Sequence, residues 1–196
     1  MKKIIILPAI LCATFAFGQI SLGIKGGVNI SNFTGGDFGS VEKNTLTTFH
    51  AGGLVHIPFS HLALQPELVF SEQGAKLSKA GAETDFKISY VNIPVMLQWG
   101  TKGGVYVEAG PQAGFKVSES VPDSLSSKFA KSSDFSICLG LGFRSSGGFG
   151  IGGRYNLGIS KIGEFDSNDI SPDFKNAVLQ FSLFYIFGQK KKAEGQ

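Results

Sequence analysis

"FGIGGRYNLGIS", residues 149–160, alternates large apolar side chains with small or polar ones, the period of a strand with two unlike faces. Phe149, Ile151, Tyr155, Leu157 and Ile159 fall on one side, and Arg154 stands among glycines on the other. A guanidinium left unpaired in an apolar interior costs on the order of 3–5 kcal/mol. What lies on each side of this strand therefore decides the fold.

The same period of two recurs along the chain, at roughly 20–31, 46–58, 61–72, 86–99, 104–117, 133–145, 148–160 and 176–187. No comparable run carries apolar residues at helical spacing, and no linker divides the chain, so one all-β domain is expected. Short Gly- and Ser-rich connections near 59–61, at 100–104 and at 145–148 alternate strictly with longer ones at 32–45, 73–85, 118–132 and 161–175. Outer-membrane barrels share this asymmetry, with tight turns in the periplasm and long loops outside. The expectation is an eight-stranded antiparallel up-and-down transmembrane β-barrel with short periplasmic turns and four longer external loops.

The two faces sharpen it. One carries Val91, Ile93, Val95, Leu97 and Trp99, then Phe135, Ile137, Leu139, Leu141 and Phe143, then Leu179, Phe181, Leu183, Tyr185 and Phe187. It is nearly free of charge; Lys87 falls on it near an expected strand end, where a lysine reaches the headgroups. The opposite face is mostly glycine, with Lys25, His50, His56, Glu67, Asn92, Gln98, Glu108, Gln112, Lys116, Arg144 and Arg154 among them. A soluble barrel with an apolar lumen would show a surface dense in charge; glycine with sparse charge suits a narrow lumen, and the apolar face then meets lipid. Lys25, Glu67, Glu108 and Arg154 lie at similar heights above the periplasmic turns, so they are expected to form a structural polar network of two cations and two carboxylates.

Composition agrees: 27 glycines and 18 phenylalanines accompany only 17% charged residues. The opening "MKKIIILPAILCATFAFGQ" reads as an export leader, two lysines before an apolar run, with Ala16 and Gly18 ahead of a cleavage after residue 18. The expected division is a cleaved signal peptide 1–18, a barrel 19–188 and a short basic periplasmic tail 189–196 containing Lys190, Lys191 and Lys192. Cys12 would leave with the leader; Leu11 before it is too bulky for a lipid-attachment motif. Cys138 then stands alone, so no internal disulfide can form. Beyond the leader no apolar run reaches the length of a membrane-crossing helix. The near-balanced charge lacks the basic face that nucleic-acid binding requires.

"GIKGGVNIS", "LALQPELVFSEQGAKL", "YVNIPVMLQW", "YVEAGPQAGF" and "RYNLGIS", in that order and spacing, resemble the PorT-like outer-membrane β-barrel family of Bacteroidota, often labelled a porin family. The resemblance spans nearly the whole chain after the leader. It implies an eight-stranded barrel in the cell outer membrane, no established activity for most members, and a role in secretion for one relative that fold alone does not transfer. Asn92 departs from the pattern, since many members carry an acidic residue before Ile-Pro.

Chemistry finds little footing. A lipid-modifying enzyme needs a nucleophile–base pair; of the three histidines, His50 and His56 face the lumen and His61 lies by a turn, and no serine can be matched to them from sequence. Asp166, Asp169 and Asp173 miss the spacing of a calcium loop. No catalytic residue, cofactor or metal is expected. Eight strands leave room for little but side chains inside. The leading expectation is a non-enzymatic component of the envelope. It would contact outer-membrane lipid and lipopolysaccharide, and engage a protein partner through its external loops. A lipid A-modifying enzyme and a narrow channel are the alternatives.

Overall fold

The computed structural model describes residues 20–35, 42–79, 82–120, 130–162 and 174–188. Strands β1 (Ser21–Gly35), β2 (Glu42–Asn44), β3 (Leu46–Phe59), β4 (Leu62–Lys79), β5 (Ala82–Gly100), β6 (Val105–Ser120), β7 (Ser133–Arg144), β8 (Phe149–Gly158) and β9 (Phe174–Ile186) are all antiparallel to their neighbours. Eight of them close a ring in chain order. The last pairs with the first from Gly23 opposite Ile186 to Gly35 opposite Phe174. β2 prolongs β3 beyond Thr45 and pairs with β4 alone. Closure removes the strand edges around the ring, which is what lets a sheet stand in hydrocarbon.

The faces divide as their residues require. Leu22, Ile24, Leu68, Leu97, Val107, Leu139, Leu141 and Leu183 are exposed on the outside, while the polar residues opposite are buried within. Trp99, Phe143, Phe149, Tyr185 and Phe187 gather at the end with the short turns, an aromatic girdle at one lipid boundary. Burial of these outer apolar groups is left to the bilayer.

Two of the three tight turns share one construction. In "TKGG" and "SSGG" the first residue's amide donates to the carbonyl four residues on (Thr101 to Val105, Ser145 to Phe149, both 2.8 Å), and its hydroxyl donates to the same carbonyl. The closing residue has φ +90° at Gly104 and +89° at Gly148. That backbone favours glycine, and a Cβ at Gly104 would stand 2.2 Å from the Arg144 carbonyl. The third turn puts Ser60 at φ 59°.

One expected loop is not a loop. Most of 73–85 is strand: β4 and β5 remain paired from Gln73 opposite Ile88 to Lys79 opposite Ala82. Strand also takes residues 32–35, 42–44, 118–120 and 174–175 from the other expected loops. The cause is a second apolar core beyond the lipid belt. Phe33, Leu77, Phe86, Ile88, Phe174 and Ile162 are buried there together, so strand pairing continues where membrane no longer demands it. Lys87 therefore stands within β5, not at its end, with Asp85 at 3.8 Å. The leader, the tail and the acidic stretch 163–173 lie outside the described residues.

Candidate functional site

Inside the ring, large side chains face glycines. A Cβ at Gly140 would sit 2.8 Å from Glu108 Oε1, one at Gly142 2.5 Å from the Tyr106 hydroxyl, and one at Gly150 2.2 Å from the Phe184 ring. The glycines of β7 and β8 thus make room for what β6 and β9 project across the lumen.

At the periplasmic end a polar vestibule of about 460 Å³ is lined by residues including Gln98, Tyr106 and Arg144. Above it Leu54, Tyr106, Phe184 and Ile186 form a small apolar plug, with Tyr106 and Phe184 meeting edge to face at 6.3 Å. Next comes a charged layer. Arg154 donates from Nη2 to Glu67 Oε1 at 2.8 Å and from Nη1 to Glu67 Oε2 at 3.0 Å, while its Nε donates to Glu108 Oε1 at 2.8 Å. Lys25 Nζ donates to Glu67 Oε2 at 3.0 Å. Gln65 also donates to Glu67 Oε1, at 2.8 Å, and Gln98 donates to the remaining oxygen, Glu108 Oε2, at 2.9 Å. The four residues grouped by height in the sequence are brought into contact, each no more than 9% exposed. Two cations meet two carboxylates, so the layer is neutral, and the void left beside it is only about 10 Å³.

Above the charges lies an amide layer. Asn29 Nδ2 donates to Ser71 Oγ and to the carbonyls of Phe49 and Glu72, and its Oδ1 accepts from Gln180 at 3.0 Å. Asn92 Nδ2 and both polar atoms of Asn156 are buried without a protein partner. At the outer mouth Lys116 pairs with Glu119 at 2.8 Å and donates to the Ala130 carbonyl. The apolar upper core then covers the opening.

With that architecture in view, residues 14–164 match the outer membrane protein beta-barrel domain family. The chain belongs to this family. The fold is similar to that of Neisserial surface protein A, at TM-score 0.52 and 16% identity over 86% of this chain and 99% of that one. It is equally similar to OprG from Pseudomonas aeruginosa, at TM-score 0.52 and 12% identity over 84% and 95%. No functionally curated protein matches the chain. Identity this low carries the fold and nothing of the activity. Family and fold together put this outer-membrane barrel in the outer membrane.

One arrangement in the barrel is absent from any sequence pattern. His50 Nε2 lies 2.8 Å from Ser182 Oγ, and His50 Nδ1 lies 2.8 Å from Asn29 Oδ1. The connectivity is that of nucleophile, base and orienting group, drawn from β9, β3 and β1. Separations of 132 and 21 residues hide it in the sequence. Ser182 is 9% exposed and borders the 10 Å³ void. Such a space is at the lower limit for one water, so an ester cannot reach Ser182 through the lumen in this conformation. His56 takes part in no such chain; Arg144 Nη1 approaches its Nδ1 at 3.2 Å. Among the described residues no group of three His, Cys, Asp or Glu side chains is placed to hold a metal ion.

Proposed function

We propose that the protein is a closed, non-enzymatic barrel that presents a rigid outer surface to another component of the cell envelope. The observation that carries this reading is the filled lumen. Plug, charged layer and amide layer succeed one another, and an apolar core roofs the outer mouth. The same roof stiffens the β4–β5 hairpin, which reaches past the lipid belt and offers a surface that does not have to be ordered on binding. Within its family the chain belongs with the PorT-like group of Bacteroidota. The five motifs in register support this, and they supply Lys25, Glu67, Glu108 and Arg154 to the lumen. Residues 1–18 direct export and are removed.

A photo-crosslinking residue at Asp85 or Thr84 tests the partner, with Lys102 in a periplasmic turn as control. One envelope protein captured reproducibly from the hairpin positions and not from Lys102 is the expected result; no capture from any position overturns it. Refolded protein in planar bilayers is expected to show no discrete current steps, and regular steps would establish a channel instead.

The Asn29–His50–Ser182 chain supports a second reading, a lipid-modifying hydrolase whose lumen opens during turnover. It requires altered lipid A in a deletion strain, restored by the wild-type gene and not by Ser182→Ala or His50→Ala. Identical lipid A masses in all four strains would remove it.

A further inference from the structure

One cation of the lumen is treated differently from the others. Arg154 meets Glu67 and Glu108, Lys25 meets Glu67, and Lys116 meets Glu119. Arg144, half-buried at the end of β7, meets no carboxylate among the described residues. Its Nη1 reaches only neutral acceptors, His56 Nδ1 at 3.2 Å and Gln98 Oε1 at 3.5 Å. Nε and Nη2 donate to none of the described residues, and neither is sealed from solvent. Those two atoms form the side-on edge of the guanidinium, the edge that takes an oxyanion with two parallel hydrogen bonds, and Arg144 lines the periplasmic vestibule.

The rest of that vestibule repeats the pattern. Its volume of about 460 Å³ is that of a small-molecule site. Ser60, His61 and Lys102 line it with Arg144, and none of the described residues lining it is an aspartate or glutamate. The Ser60 hydroxyl, the His61 ring and the Lys102 ammonium engage no other described residue. The backbone holds these donors on one frame. Gly100 N donates to the His61 carbonyl at 2.8 Å, which joins the two turns, and Arg144 N donates to the Gly104 carbonyl at 2.9 Å, which joins β7 to the second. The groups are thus positioned before any ligand arrives, which lowers the cost of ordering them. Leu54, Tyr106, Phe184 and Ile186 close the space above, so an occupant enters from the periplasm and is held there, not passed on.

We propose that the vestibule binds a phosphate group presented from the periplasm. Arg144 takes two of its oxygens with Nε and Nη2, Lys102 supplies the second positive charge, and Ser60 and His61 donate to the oxygens that remain. Donors arriving from three segments suit a tetrahedral anion; a planar carboxylate would be satisfied by the guanidinium alone. A cleft lined by one sign of charge also concentrates anions before they bind. The space beyond a single phosphate leaves room for a small organic group attached to it. A free phosphate monoester and a lipid headgroup share this chemistry, and the test separates them.

The test is solution NMR of the isotope-labelled barrel in maltoside micelles, titrated with inorganic phosphate at constant ionic strength. Saturable shifts at the Arg144 side chain and at the amides of the two turns, with none in the outer hairpin, are the expected result. Followed at the turn amides, Arg144→Gln is expected to weaken binding by more than about tenfold, since hydrogen bonds to a charged group are lost. Arg144→Lys keeps the charge without the fork and is expected to restore only part of the affinity. Lys102→Gln is expected to weaken binding about two- to fivefold, as for an exposed ion pair, and Lys76→Gln, the same charge change at the outer end, to leave it unaltered. If Arg144→Gln does not reach the SDS-resistant form, Lys102→Gln/His61→Gln takes its place, with the same tenfold loss required. Displacement of phosphate by glycerol phosphate and not by phosphatidic acid in the micelle supports the site as one for a free monoester; displacement by phosphatidic acid supports it as one for a headgroup. Shifts that rise without saturating, equal affinity for acetate, or unchanged affinity in the variant used for Arg144 overturns the proposal.

Discussion

The lumen is filled in two different ways at two heights. Near the periplasm Lys25, Glu67, Glu108 and Arg154 fill it with charge, every carboxylate oxygen of Glu67 and Glu108 accepting at least one hydrogen bond. Toward the outside Phe33, Phe86, Ile88 and Phe174 fill it with hydrocarbon, Phe33 and Phe174 stacking obliquely at 4.7 Å. The charged layer stands where the outer wall already faces lipid. Removing a partner there strands an ion far from water, whereas the outer core lies beyond the belt and loses only packing when it is cut. The difference teaches that the lower layer sets whether the barrel closes at all, and the upper one how rigidly its outer surface is held.

Breaking the charged layer is expected to have the largest effect. Arg154→Leu leaves Glu67 and Glu108 sharing Lys25 alone, a loss on the order of 3–5 kcal/mol. It should lower the temperature at which the folded band gives way in SDS by more than any other single change discussed; an unchanged temperature would remove the structural role of the layer. Phe174→Ala opens a cavity worth about 3 kcal/mol in the upper core. Its loss is expected mainly as faster protease cleavage of the outer hairpin on intact cells, with the SDS transition moved less. Equal shifts in both measurements would mean that the two fillings unfold as one unit.

Glu108→Gln keeps an acceptor for Arg154 while removing one charge, and is expected to cost about 1–2 kcal/mol, between wild type and Arg154→Leu in the same assay. The smallest effect, and of opposite sign, is expected at Asn156. Both of its polar atoms are buried without a protein partner. Replacing an unsatisfied polar group by a hydrocarbon of similar size is neutral or stabilising, so Asn156→Leu should match or exceed wild type in the melting assay. A fall would mean that Asn156 belongs to a bonded network spanning the amide layer.

Much of this was legible in the residues themselves. The alternation around Arg154 separates lipid face from lumen, and counting from "GTKGG" and "SSGG" brings Glu108 and Arg154 to one level. The expected loop 73–85 failed for a reason local reading does not contain: Leu77 and Phe86 pack against Phe33, Phe174 and Ile162, residues far from them in the chain. Gly26 and Gly153 fall on the lipid face by the same alternation, but local sequence does not show that they lack the close contacts that make Gly142 or Gly150 necessary.

By itself, then, the sequence determined the strand period, the medium on each face, the turn chemistry and the charge balance of the lumen, because each depends on neighbours along one strand. Tertiary structure alone decided which carboxylate meets which cation and that His50 lies between Asn29 and Ser182. Those arrangements depend on the stagger with which the ring closes. That stagger is set by the fit of whole strands around the barrel, and no single segment contains it.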